Sequence, residues 1–308
     1  MQENKNKLFT NPIFVAIIAI FCCALWGSAT PFIKTGYALM LPHGGVPSTM
    51  LFAGIRFTLA GIITVLIFSV ARRKFLFPKK ENYTKVATVS LFQTVIQYIF
   101  FYVGLANTSG VKGTIASGSS AFFALLIAAL IFRQENLTLK KIVACVLGFA
   151  GIVVCNLSGL DLTMNFTGDC FVLFSAMSAA FSSVLIKRFS KSEDPVTISG
   201  YQFILGGIVM IVIGLALGGK IEVNDMKSLA VLLYLALLSA LAYSLWGILL
   251  KYNPVSKVTV YNFMTPVFGV LLSKLILTSE ASNVDPLNLA LTLVLICSGI
   301  IMLNYKKE

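Results

Sequence analysis

The sequence predicts an all-α polytopic membrane protein, ten transmembrane helices built as two inverted five-helix repeats. Three observations carry that prediction. Hydrophobic residues make up 57% of the chain and charged residues 12%, with a mean hydropathy of +0.89; soluble domains carry about 25% charged residues. The apolar residues fall into ten runs, each close to the roughly 20 residues that a bilayer span needs. The second half of the chain restates the first, with five runs in each copy.

The runs cover 13–34, 49–70, 85–106, 112–132, 139–157, 168–187, 196–217, 228–250, 257–277 and 286–304. Helix is the only open-ended structure that satisfies every backbone N–H and C=O inside lipid. The first run follows Lys5 and Lys7 and continues past Trp26 to Lys34, too far for the apolar core of a secretory signal. A Pro/Gly-rich loop holding Pro42, His43 and Pro47 separates it from the second. Pro78 precedes the third, and Arg133, Lys140 and Lys141 bracket the joint between the fourth and fifth. The sixth ends at Lys187 and Arg188. Pro195 opens the seventh and Gly218–Gly219 closes it; Pro254 divides the eighth from the ninth, and Pro286 opens the tenth. Proline lacks the N–H that a helix interior uses, so it belongs at such joints.

Charge orients the runs. Of 24 Lys and Arg residues, eighteen fall on the side that carries both chain ends, four on the other side and two, Arg56 and Lys274, within spans. Cytoplasmic loops collect Lys and Arg, so both termini are expected in the cytoplasm and the chain in the cell membrane. The net charge of +12 follows from that bias. The basic residues sit in short clusters between spans with no aromatic interleaving, so no nucleic-acid partner is expected.

The repeat is read directly. At an offset of 145, Phe123, Leu126, Leu130, Ile131 and Glu135 meet Phe268, Leu271, Leu275, Ile276 and Glu280; Tyr98 meets Tyr243. At 146, GIRFTLAGI (54–62) meets GYQFILGGI (200–208), pairing Gly54 with Gly200 and Gly61 with Gly207. At 148, GIVVCN (151–156) meets GIIMLN (299–304), and at 153 Lys34 meets Lys187. The expected division is 1–158 and 159–308. An odd number of spans per copy inserts the second copy upside down. Two halves related by an axis in the membrane plane can exchange conformations and open one central site to either face in turn.

Other chemistry finds little material. The single His43 and six cysteines without CxxC spacing suit no metal site, and no cofactor is expected. Adjacent Cys22 and Cys23 point to different helix faces as small apolar fillers. The serines of GTIASGSS lack a His or mid-membrane Asp to activate them, so an intramembrane enzyme is not expected. All twelve acids lie in tails, loops or span ends. Proton coupling through a buried carboxylate is therefore not expected either.

LWGSATPFIK (25–34), FAGIRFTLAG (52–61), the Glu-ended SSAFFALLIAALIFRQE (119–135) and TPVFGVLL (265–272) before Glu280 resemble the EamA-type drug/metabolite transporter superfamily over nearly the whole chain. The resemblance implies a secondary transporter of small metabolites, often an amino-acid or metabolite exporter. It also implies a cavity lined chiefly by spans 1, 3, 4, 6, 8 and 9. The sequence departs from the family where a glycine often precedes the glutamate, with Gln134 and Ser279 there, and in Ala179 as the counterpart of Trp26.

On these spans the candidate substrate-binding residues are Trp26, Gln93, Gln97, Tyr98, Tyr102, Ser117, Ser120, Ser182, Tyr243, Trp246, Tyr261, Asn262 and Thr265. Gln93 and Gln97 share a helix face, and amides avoid lipid by turning inward; such groups either hold helices together or meet a polar substrate. Pro266 removes a backbone hydrogen bond and can bend span 9. Arg56, matched by Gln202, reads either as an anchor for a substrate carboxylate or as a structural bridge or snorkel; the peripheral place of span 2 in the family favours the structural reading. Lys274 is expected to snorkel. Glu135 and Glu280 read as caps to the helices that follow them.

The expectation is a carrier with a small-molecule substrate, an amino acid for export, and the bilayer as its other partner. An importer of a quaternary ammonium or nucleobase-like compound is the same-fold alternative, and a channel the alternative of another class. Monomer and homodimer both stay open.

Overall fold

Each apolar run closes its own backbone hydrogen bonds, and capping residues fix where the closure starts. In the computed structural model, which describes residues 7–41, 43–157, 163, 165–276 and 285–304, ten helices follow. They are α1 (Pro12–Met40), α2 (Val46–Arg72), α3 (Lys80–Ala106), α4 (Gly110–Ile131), α5 (Leu139–Cys155), α6 (Phe166–Phe189), α7 (Pro195–Ala216), α8 (Met226–Tyr252), α9 (Val255–Ile276) and α10 (Pro286–Asn304). All except α5 are long and apolar enough to cross a bilayer. With 17 residues, α5 is about 25 Å long.

Side chains of Asn11, Ser109, Asp194 and Asp225 accept hydrogen bonds from the first-turn N–H groups of α1, α4, α7 and α8, groups that no helix satisfies internally. Proline occupies the opening turn of α1, α2 and α7, where its missing N–H costs nothing.

Helices alternate in direction. One end of the bundle, here the basic end, holds Arg72, Arg133, Lys141 and Lys187; the distal end holds Met40, Lys112 and Asp225. The packing pairs are α2 with α7, α5 with α10, α1 with α8 and α9, and α6 with α3 and α4. Exchanging α1–α5 for α6–α10 turns this set into itself. The register is equally strict. A Cβ on Gly54 would lie 2.8 Å from Gly207 O, and one on Gly61 would lie 2.5 Å from Gly200 O. Under the 146-residue offset each contact becomes the other. Likewise Gly151 meets the carbonyl of Thr292 and Gly299 that of Ala144, equivalent under the offset of 148.

Local departures from the α-helix recur at equivalent places. In α4 the helix is interrupted at Ser119; in α9 a 3₁₀ segment, Val260–Phe263, ends where Met264 resumes the helix, and Ser119 and Met264 are 145 apart. Pro266 explains the second, because it leaves the carbonyl four residues back without an intrahelical donor.

Cys22 and Cys23 are both buried, one Sγ 3.5 Å from Ala242 O of α8 and the other 3.1 Å from Tyr261 O of α9. Adjacent residues thus serve two different helix contacts.

Candidate functional site

Helices α1, α3, α4, α6, α8 and α9 pack among one another, with α2–α7 set against α3 and α8 and with α5–α10 as a further pair. Aromatic residues meet between these helices. Trp26 of α1 lies edge-on to Tyr243 and Trp246 of α8, at ring separations of 5.1 and 5.0 Å. The Tyr243 hydroxyl is 3.0 Å from that of Tyr98 on α3. Tyr98 in turn lies 5.8 Å from Tyr102 and 4.5 Å from Phe57. Phe57 stacks on its own repeat equivalent, Phe203, at 5.0 Å with planes 6° apart. Tyr98 with Tyr243 and Phe57 with Phe203 are therefore residues that meet their equivalents, and they mark the pseudo-two-fold axis.

Several polar atoms are enclosed without a described partner: Trp26 Nε1, Gln93 Oε1, Thr265 Oγ1 and Ser244 Oγ on these six helices, Arg56 Nε and Gln202 Nε2 on α2 and α7, and Gln134 Oε1 beyond the end of α4. Buried polar groups are normally satisfied, and Trp26 Nε1 and Arg56 Nε are the two of these that stand within the aromatic cluster. Gln93 is buried in a π-helical stretch, Leu91–Ile96, and Gln97 is half-buried at the first residue past it. That stretch changes the angular spacing of the two amides from the one assumed for an uninterrupted helix. Ser117 and Ser120 are half-buried on either side of the Ser119 interruption, and Asn262 and Thr265 are half-buried on α9.

Two expected lining residues stand apart from the aromatic centre. Ser182 has no exposed surface and donates its hydroxyl to Ala179 O at 2.8 Å; it is satisfied inside its own helix. Tyr261 is 2% exposed and lines an apolar crevice with Pro12, Ala16 and Ile300, between α1 and α10. Residue type and span put both on lining helices, and the rotation of those helices turns them away from the aromatic centre.

Arg56 also departs from its expected structural role. It neither snorkels nor caps carbonyls. It is 4% exposed, and its guanidinium carbon lies 4.3 Å from the centre of the Phe57 ring and 6.0 Å from that of Tyr98. Lys274 is exposed near the distal end of α9.

Glu135 is the residue whose role the sequence concealed. One carboxylate oxygen accepts from Ser256 N at 3.0 Å, and the other takes Ser256 Oγ–H and lies 2.6 Å from Lys141 Nζ. Lys141 belongs to the following helix, but Ser256 is in the first turn of α9, so the carboxylate ties the end of α4 across the bundle to the start of α9. Lys187 acts nearby, donating to Asn253 O at 2.5 Å and Leu250 O at 3.2 Å, which joins α6 to α8. The equivalent Glu280 lies outside the described residues.

These ties belong to a one-sided closure. At the basic end, Ser120–Leu126 of α4 packs on Val255–Thr259 of α9, and α6 packs on α8. At the distal end, Gly110–Gly118 of α4 lies on α5 and α6 while Met264–Ile276 of α9 lies on α1, with no comparable packing between these two segments among the described residues. Among the described residues, then, α4 and α9 meet in their basic halves and rest on other helices in their distal halves.

The family described as the EamA-like transporter family matches residues 13–157 and 166–305. An uncharacterized transporter of Synechocystis sp. is 26% identical over 301 residues, spanning 90% of this chain and 88% of its own length. An uncharacterized transporter of Bacillus subtilis is 25% identical over 302 residues, with 95% and 92% spanned. A chloroplastic WAT1-related protein of Arabidopsis thaliana is 24% identical over 280 residues, with 87% and 67% spanned. A crystal structure superposes with a TM-score of 0.76 at 18% identity, covering 94% of this chain and 96% of the other, which establishes a shared fold.

Proposed function

Because the chain belongs to the EamA-like transporter family, we propose that it is a secondary carrier that exports an amino acid across the cytoplasmic membrane by alternating access. The observation that carries the mechanism is the one-sided closure. Among the described residues, equivalent helices α4 and α9 pack on one another chiefly in their basic halves, and a repeat-exchanged arrangement would join their distal halves instead. Both arrangements use the same contacts between equivalent residues, so their energies lie close enough for substrate to pass from one to the other.

The basic end is assigned to the cytoplasm from the Lys/Arg bias, so the closure described above is the outward-facing state. Substrate released from it leaves the cell. The half-buried amides, hydroxyls and indoles around the centre supply donors and acceptors for a small zwitterion, and Trp26 and Trp246 supply apolar area for its side chain. The rival cargo, an organic cation, would have the aromatic faces in its favour but the Arg56 guanidinium against it.

The test is counterflow in proteoliposomes, with each of the common amino acids labelled outside and unlabelled inside. Transient accumulation of at least one, accelerated by internal substrate, is the expected result. Absence of uptake and counterflow for every amino acid overturns amino-acid export. A current linear in driving force with no trans-acceleration makes the chain a channel.

A further inference from the structure

Arg56 sits about 15 Å along α2 from Val46, within the apolar length of the helix. It is 4% exposed and forms no hydrogen bond or ion pair to a described residue; Nε is sealed, whereas the two terminal nitrogens are not among the sealed atoms. Those terminal nitrogens therefore keep open space in front of them. Around the guanidinium stand Tyr37 of α1, Tyr98 and Tyr102 of α3, and Tyr243 of α8. The carboxylates that form described ion pairs, Glu135, Asp169 and Asp194, are at helix ends and serve Lys141, Lys112 and Arg72.

A cation withdrawn from water in a low-dielectric setting is tolerated when something compensates it. The face of Phe57 compensates part of the charge, but an aromatic face does nothing for N–H groups, which need acceptors. The helix crossing itself does not demand a cation. The equivalent position in the second repeat is Gln202, fully buried, with its Oε1 accepting from Thr94 Oγ1 at 2.7 Å and its Nε2 sealed without a described partner. Where packing alone is at stake, a neutral amide suffices.

We infer that Arg56 is the anion-recognition element of the central site, taking the carboxylate of the transported substrate on its two terminal nitrogens. Such a two-pronged contact matches guanidinium to carboxylate in geometry and charge. In the Tyr98–Tyr243 pair one hydroxyl donates to the other, which leaves the second proton free to donate to the same carboxylate. The inference deepens the carrier reading and rests on it, naming a carboxylate as the substrate group that the first repeat recognises and the second does not.

The chain has two tryptophans, Trp26 and Trp246, in contact with each other beside Tyr243, so intrinsic fluorescence of the purified protein reads the site. The probes are the twenty L-amino acids, butyrate and benzoate, each tested against its carboxamide, on wild-type, Arg56→Gln and Arg56→Lys protein. The expected result is saturable binding of at least one carboxylate, with its amide weaker by about 10- to 100-fold. Arg56→Gln loses that discrimination, and Arg56→Lys keeps part of it. Binding of carboxylate and amide with equal affinity in the wild type, unchanged discrimination in Arg56→Gln, or no carboxylate binding at all overturns the assignment. Should Arg56→Gln not fold, the wild-type ratio and its reduction in Arg56→Lys decide. Counterflow separates the two claims: discriminating binding without counterflow of any ligand sinks the carrier reading and leaves the anion site standing.

Discussion

Where α2 crosses α7, glycine lies against backbone at both ends of the contact: Gly54 on Gly207 and Ile211, Gly61 on Gly200 and Ile204. Where α4 crosses α9, the basic halves meet and the distal halves rest on different helices. Both are crossings between a helix and its own repeat equivalent. The first is closed by small residues that bring main chains together, with the side chains of Thr58, Val65, Ile204 and Ile211 packed against the same glycines. The second is closed at one end by a carboxylate latch, Glu135 to Ser256, whose bonds can be exchanged for others. An interface close-packed around main-chain contacts behaves as a fixed axis, and a crossing with alternative polar ties is a two-position element.

Filling the fixed crossing should have the largest effect. Gly207→Leu places a side chain where even a Cβ would stand 2.6 Å from Thr58 N and 2.7 Å from Gly54 O. A loss of about 3 kcal/mol or more is expected, read as the failure of monodisperse protein to elute on size exclusion. Gly269→Ala provides the contrast. On α9 the nearest atoms to a new Cβ are 3.8 Å away, so this variant should elute like wild type. Gly269 faces Gly27 and Thr30 of α1, so if both variants behave alike, the α2–α7 crossing is not closed to added side chains as described.

Releasing the latch should come next. Glu135 has a side chain 6% exposed against 18% for Lys141, so Glu135→Gln weakens a largely buried ion pair and its charge-assisted bonds to Ser256. The expected shift toward opening at the basic end is about 10- to 100-fold. It is measured as faster reaction of an impermeant maleimide with Ala128→Cys from that side, in a background lacking the native cysteines. Unchanged labelling would mean that the contact is a static brace.

The axis itself gives a smaller, symmetric effect. Tyr98→Phe and Tyr243→Phe each remove one hydroxyl from a pair of equivalents, so each should cost about 1 kcal/mol, and the double variant should cost less than the sum. Thermal unfolding of the three variants in one detergent provides the comparison. Strict additivity would show that the hydroxyls do not interact.

Smallest is a change that touches neither crossing. Hydrogen bonds from Ser228, through its side chain and then its backbone N–H, hold the Asp225 carboxyl below the ordinary carboxylate value at the start of α8. A depressed folded-state value means that the contribution is complete above the unfolded-state pKa and disappears as pH falls through the folded one. Asp225→Asn should therefore flatten the acid limb of the stability–pH curve slightly and leave maleimide labelling at Ala128→Cys unchanged.

Much of this architecture could be read from the residues alone. Gly54/Gly200 and Gly61/Gly207 stand in register in the sequence, and the structure turns those correspondences into reciprocal contacts. Tyr98 and Tyr243 could be matched as equivalents, but only the folded chain brings their hydroxyls together. Cys22 and Cys23 were legible as facing different ways, because neighbouring residues on a helix diverge by about 100°. Glu135 was not legible as a latch, since its partner Ser256 is 121 positions away and nothing in the local pattern names it. Ser182 and Tyr261 show the same limit: residue type and span identify polar groups, whereas the azimuth of each helix determines which of them reach the centre. The π-helical turn at Leu91–Ile96 moves Gln93 and Gln97 by a similar hidden rotation.

By itself the sequence determined the solvent, the number of helices and the duplication, because hydropathy, span length and repeated glycines are additive along the chain. Tertiary structure alone decided which halves of α4 and α9 meet, which equivalents touch and that Arg56 is enclosed among tyrosines with no ion pair to a described carboxylate. Those are properties of helix rotation and long-range pairing, and they depend on distances between residues far apart in the chain.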